Sequence, residues 1–136
     1  MKKIILAVAL LAVVLVSAKN NNSLELKNSY SLEYTMSVNA FCKLIQLGDF
    51  DAVKALIKEG INVNQKSMGL TPLMYAARHN KVNITKLLIK NGAKLKVKSD
   101  RKKLTALKWA ELSNAKDTYA VLKNALVNQK KKKRKH

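Results

Sequence analysis

One cysteine, one proline, two histidines and four glycines are all that 136 residues contain of these types. Each scarcity excludes something. With Cys42 alone, no intramolecular disulfide can form, so an apolar core must hold the fold, and the lone thiol is expected inside it. Two histidines, His79 and His136, leave no spacing that would hold a metal. No glycine-rich loop is present to cradle a phosphate. Carboxylates are few as well: eight against 27 lysines and arginines. Asp49 and Asp51 fall where a turn joins two helices, which suits capping better than acid–base work. No nucleophile has a base and an orienting group beside it. The composition reads as a non-enzymatic chain without metal or cofactor.

What the chain has in excess is positive charge, unevenly placed. Residues 19–64 carry five lysines and five acids, whereas residues 65–128 carry fourteen lysines and arginines against Asp100, Glu111 and Asp117. The end, "QKKKKRKH" (129–136), adds six more cations. Such asymmetry speaks of partners rather than fold. Self-repulsion predicts a disordered tail over 129–136. Beside anionic lipid it would gain roughly 1 kcal/mol per basic residue, and other polyanions would attract it similarly. The bland reading, a solubilising tail in a lysine-rich sequence, stands next to these.

The opening "MKKIILAVALLAVVLVSA" has the layout of an export signal: Lys2 and Lys3, an apolar run from Ile4 to Val16, then small residues at Ser17 and Ala18. The run would span roughly 20 Å as a helix, short of the roughly 30 Å hydrocarbon core. A cleaved signal over 1–18 is therefore expected, with an uncleaved tether as the alternative. The compartment is then outside the cytoplasm, the periplasm first and the cell exterior second. Residues 19–35 read as a polar leader that can cap the first end of a domain over 36–128.

That domain repeats itself. A shift of 32 residues lays "FCKLIQLGDFDAVKALIKEGINVN" (41–64) on "LMYAARHNKVNITKLLIKNGAKLK" (73–96), and a shift of 34 lays "TALKWAELSNAKDTYAVL" (105–122) on "TPLMYAARHNKVNITKLL" (71–88). Both departures from a period near 33 are expected in the loops at 65–70 and 97–104. In the middle copy Thr71 caps a helix that begins with Pro72, where the missing N–H costs nothing. Ala76 and Ala77 allow close approach of a neighbour. Gly48, Asn80 and Asn114 take one left-handed turn position. A second helix with Val82, Ile84, Leu87, Leu88 and Ile89 follows, and Gly92 ends it. Neither helix can bury its apolar face alone, so the copies must stack.

"GLTPLMYAARHNKVNITKLLIKNGA" closely resembles the ankyrin repeat, and "GDFDAVKALIKEGINVN" and "LTALKWAELSNAKDTYAVLKNAL" resemble it less completely. The resemblance implies an all-α solenoid of about three helix–turn–helix repeats, near 37–68, 69–102 and 103–127, joined by hairpin loops. Where the family has a histidine near the start of the first helix, this chain has Cys42, Met74 and Lys108, which implies looser turns there.

The resemblance also implies where a partner protein would be gripped: the hairpins and the adjoining ends of the first helices. Carried onto this sequence, those positions are Ser67, Met68 and Leu70 in one hairpin and Arg101, Lys102, Lys103 and Leu104 in the next. On the helices they are Gln46 and Leu47, Arg78 and His79, and Leu112 and Ser113. Met68, Leu70, Leu47 and Leu112 would form an apolar centre unless the leucines are used between repeats, and the arginines and lysines would form a basic side. Tyr75 and Trp109, at matching positions, are expected in the core. The partner this implies is a protein with an acidic surface, bound by a monomer, either an enzyme or toxin to be neutralised or a host protein met by a secreted effector. A polyanion or membrane surface held by the basic half is the competing reading.

Overall fold

Asp49, Thr71 and Thr105 start helices for one reason: a side-chain oxygen ahead of the helix takes a backbone N–H that the helix leaves free. Asp49 accepts from the Ala52 amide at 3.1 Å, Thr71 from Met74 at 3.3 Å and Thr105 from Lys108 at 3.4 Å. The computed structural model describes residues 37–135. The proposed export signal and most of the leader lie outside them.

Six helices make up the described residues: α1 (37–47), α2 (Phe50–Lys58), α3 (Pro72–Arg78), α4 (Val82–Lys90), α5 (Ala106–Leu112) and α6 (Lys116–Arg134). They form three antiparallel pairs, α1/α2, α3/α4 and α5/α6. Gly48, Asn80 and Asn114 make the turns within the pairs at φ +81°, +51° and +53°, in the left-handed region the sequence implies. First helices stack on first helices, α3 on α5, and second helices on second helices, α2 on α4 and α4 on α6. Ala76, Ala77, Ala106 and Ala110 are buried in the α3–α5 layer, where larger side chains would hold the helices apart. Phe41, Ile45, Val53, Leu73, Leu88 and Leu122 complete one continuous core. The all-α repeat solenoid is as expected.

Polar bonds join neighbouring repeats. Asn64 donates to the Gly92 carbonyl at 3.0 Å and accepts from the Lys94 amide at 2.8 Å. Asn80 donates to Asp117 at 3.1 Å, and its amide oxygen accepts from the Thr118 backbone at 3.1 Å. The Thr118 hydroxyl has one proton and three oxygens within reach, those of Ala77, Ala115 and Asn80, at 3.1–3.2 Å. Asn80 thus serves both as a left-handed residue and as a strut. Asn80→Gly keeps the turn and loses the strut, whereas Asn80→Ala loses both. The expected costs are about 1–2 kcal/mol for glycine and about 1 kcal/mol more for alanine, read from urea midpoints. Equal midpoints for the two variants would show that the left-handed turn is not what the asparagine supplies.

Two expectations are corrected. The turn at Thr71 is not loosened by the missing histidine, because the Met74 thioether takes over: its Sδ accepts from the Thr71 amide at 3.4 Å, and the side chain is buried. Sulfur is a weak acceptor, but here it is a shielded one. The basic end is not disordered either. Residues 129–134 continue α6 as regular helix to Arg134. Thr118 and Leu122 anchor the start of α6 in the core, so the helix is already nucleated when it reaches the lysines. Propagation through a fair helix former is then cheap, and cations at a helix C-terminus are favoured by its dipole.

The hairpins between repeats differ in size. In the first, Ser67 and Leu70 exchange two backbone bonds of 2.9 and 3.0 Å across a tip of Met68 and Gly69, both with positive φ, +51° and +82°. That is the type I′ geometry of a two-residue hairpin. In the second, the Ser99 amide donates to the Leu104 carbonyl at 2.9 Å across a tip of Asp100, Arg101, Lys102 and Lys103. The two-residue difference between shifts of 32 and 34 therefore sits wholly in the second tip, not in both loops. The Asp100 amide donates to the Gly69 carbonyl at 3.0 Å, and its carboxylate pairs with Lys66 at 2.5 Å, which ties the tips together.

Candidate partner-binding surface

The first helices and the hairpin tips share one face. Two shallow cavities mark it. One, of 240 Å³, is lined by α1 (Asn39, Cys42, Lys43, Gln46), the first hairpin (Ser67, Met68) and Tyr75 of α3. The other, of 140 Å³, lies between the tips and is lined by Met68, Gly69, Leu70, Ser99, Arg101, Lys102 and Trp109. Met68 borders both.

The sequence-predicted positions divide in three groups. Met68 (89% exposed), Leu47 (66%) and Leu112 (60%) are large apolar side chains in solvent, together with exposed Arg78, His79, Arg101, Lys102, Lys103 and Ser113. Gln46, Leu70 and Leu104 are half-buried, and Leu70 leans on the core. Ser67 is buried and is no contact residue. Its hydroxyl donates to Asn39, and its carbonyl accepts from the Tyr75 hydroxyl at 3.0 Å. That serine holds the hairpin against α1 and α3; its polarity is spent inside the fold.

Of the two matched aromatics, only Tyr75 is buried as expected. Trp109 is half-buried, with the Arg78 guanidinium carbon 5.5 Å and the Lys102 ammonium 5.4 Å from its ring centroid. Both separations are within cation–π range. Its omission from the predicted contact residues has a clear cause: repeat alignment equates it with Tyr75, and the longer second tip, which brings Lys102 to the ring, carries no pattern of its own.

Charge on this face is unbalanced. Among the described residues the ion pairs are Lys66–Asp100 and Lys108–Glu111, so Arg78, Arg101 and Lys102 have no carboxylate partner. Partial burial and the charges of Arg78, Lys81 and Lys43 hold His79 below its usual imidazole value, so it is neutral at pH 7. Burial pushes the Cys42 thiol up to about 12, against a smaller opposing pull from Ser67, which keeps it protonated and a poor nucleophile. Among the described residues no group of three histidine, cysteine or acidic side chains can hold a metal ion. No helix among them is long and apolar enough to cross a membrane.

A family model described as ankyrin repeats in three copies matches residues 14–99 and 41–133. The chain belongs to the ankyrin-repeat family. Ankyrin repeats mediate protein–protein interaction, and the face described above is one that can do so. Over 89 residues the chain is 36% identical to the mouse "Ankyrin repeat, SAM and basic leucine zipper domain-containing protein 1". That match covers 65% of this chain but 18% of the mouse protein. Among solved structures, a chain from the predatory endopeptidase Bd0816 of Bdellovibrio bacteriovorus in complex with immunity protein Bd3460 superposes with a TM-score of 0.60 at 33% identity. That match covers 63% of this chain and 45% of the solved one.

Proposed function

We propose that this ankyrin-repeat protein is exported and binds a partner protein with the face built from α1, α3, α5 and the two hairpin tips. The carrying observation is Met68. A methionine at φ +51° costs about 1–2 kcal/mol against glycine in the same conformation, and at 89% exposure its side chain returns little of that through packing. Backbone strain beneath an exposed apolar side chain makes sense where a partner covers it. Uncompensated Arg78, Arg101 and Lys102 favour an acidic partner surface. The likeness to a chain from an endopeptidase–immunity protein complex supports neutralisation of an enzyme as the purpose. The apolar run before Ser17 supports export, with the periplasm as the compartment.

Met68→Asn tests the reading by separating stability from binding. Asn-Gly is the preferred type I′ tip, so the variant is expected to gain about 0.5–1 kcal/mol of stability. Its affinity for the partner that co-purifies with the exported chain should fall about tenfold or more, since an apolar anchor at an interface centre is worth over 1 kcal/mol. A more stable variant that bound the partner as tightly as the parent would remove Met68 from the interface and sink the proposal.

A further inference from the structure

Trp109 is the chain's single tryptophan, and it differs from the tyrosine at the matching position one repeat earlier. Tyr75 has its hydroxyl satisfied by the Ser67 carbonyl. The Trp109 indole N–H is closed off from solvent yet has no acceptor. Two cations, Arg78 from α3 and Lys102 from the second tip, lie over its ring, and Arg101 stands beside Lys102 at the rim of the 140 Å³ cavity. Three like charges converge on one spot. The nearest acid in sequence, Asp100, is engaged with Lys66. The cavity holds roughly the volume of four or five liquid-phase waters, which is the scale of one side chain. Its floor is apolar, made of Met68, Leu70 and the indole.

Resting on the protein-binding reading above, we propose that this cavity is a carboxylate-recognition pocket. It takes an aspartate or glutamate side chain of the partner, presented beside an apolar residue. The carboxylate lies between Arg101 and Lys102, where charge-assisted bonds to the guanidinium fork and the ammonium replace mutual repulsion. The apolar neighbour covers Met68 and Leu70. An apolar floor under a ring of cations distinguishes this from a polyanion groove: a continuous run of phosphates needs cations along its path and gains nothing from methionine and leucine beneath it.

The only tryptophan reports directly on the pocket. Two peptides blocked at both ends, acetyl-Gly-Leu-Asp-Leu-Gly-amide and its Asn counterpart, are titrated into the whole chain while tryptophan emission is followed. The Asp peptide is expected to change the emission saturably and to bind about tenfold or more tighter than the Asn peptide. Arg101→Gln or Lys102→Gln, both at exposed positions that leave folding intact by circular dichroism, should erase that preference. Equal responses to the two peptides, or none below ~10 mM, would overturn the pocket. So would a stronger response to oligothymidylate, which would mark a nucleic-acid surface instead. The two proposals fail separately. A protein partner held equally by the parent and by Arg101→Gln would leave protein recognition standing while removing this pocket. Asp-selective peptide binding that coexists with a partner indifferent to Met68→Asn would do the reverse.

Discussion

Leu88→Ala is expected to destabilise the repeat stack by about 2–5 kcal/mol. Leu88 is fully buried in α4, the middle second-layer helix, which packs on α2 on one side and α6 on the other. Removing its three outer carbons leaves a hole that both neighbours line, and neither can move inward without leaving its own first-layer partner. In a stack held together by nearest-neighbour interfaces, one substitution at the centre weakens two of them at once. Against a total of about 5–15 kcal/mol for a domain, that is enough to bring the urea midpoint close to zero denaturant. The contrasting variant is Leu126→Ala, half-buried on α6 at the outer end of the stack, whose cost should be clearly smaller. A Leu88→Ala loss below ~1 kcal/mol would mean that the repeats slide to refill the space, and that the stack is softer than its packing implies.

The second large effect is expected on binding. Reversing the tip charges with Arg101→Glu and Lys102→Glu together should weaken the acidic partner about a hundredfold or more. Two attractive contacts are replaced by like-charge juxtapositions that cost several kcal/mol. Association should slow and lose most of its salt dependence, because steering by the positive tip is gone. Folding should be untouched, since both side chains are exposed and neither forms an ion pair among the described residues. Ending the chain at Asn128 removes six cations but none from the tip, so the same affinity should change little. Kinetics of both variants at two salt concentrations check this. If truncation hurt more than the double reversal, binding would be governed by the basic end of α6, and the tip would be a solvated loop.

How far the sequence foretold this molecule depended on whether a feature is written locally. The left-handed turns at Gly48, Asn80 and Asn114 were legible, because a glycine or asparagine at a fixed offset from an apolar run has few other meanings. The threonine caps were legible for the same reason. Ser67 was not: its inward role depends on Asn39 and Tyr75, residues 28 and eight positions away, and nothing in "KSMGL" shows them. The fate of the basic end was misjudged because charge repulsion was weighed without the anchored helix that precedes it. Trp109 was misplaced by the strength of the repeat pattern itself. Matching it to Tyr75 carried over a burial that holds only where the tip is two residues long. The candidate surface could be located from the family resemblance, but its chemistry resides in the departures from the repeat.

The unequal tips have a consequence for a partner's alignment along the stack. A perfectly periodic array presents the same contour every 33 residues or so, and a ligand that fits one step fits the next, so it can bind in several offset positions of similar energy. Here one tip is a strained Met-Gly pair and the next a four-residue cationic loop. Sliding by one repeat would set the partner's apolar patch against lysines and its acidic patch against methionine. The offset poses are penalised, and a scaffold made of near-copies acquires a single address.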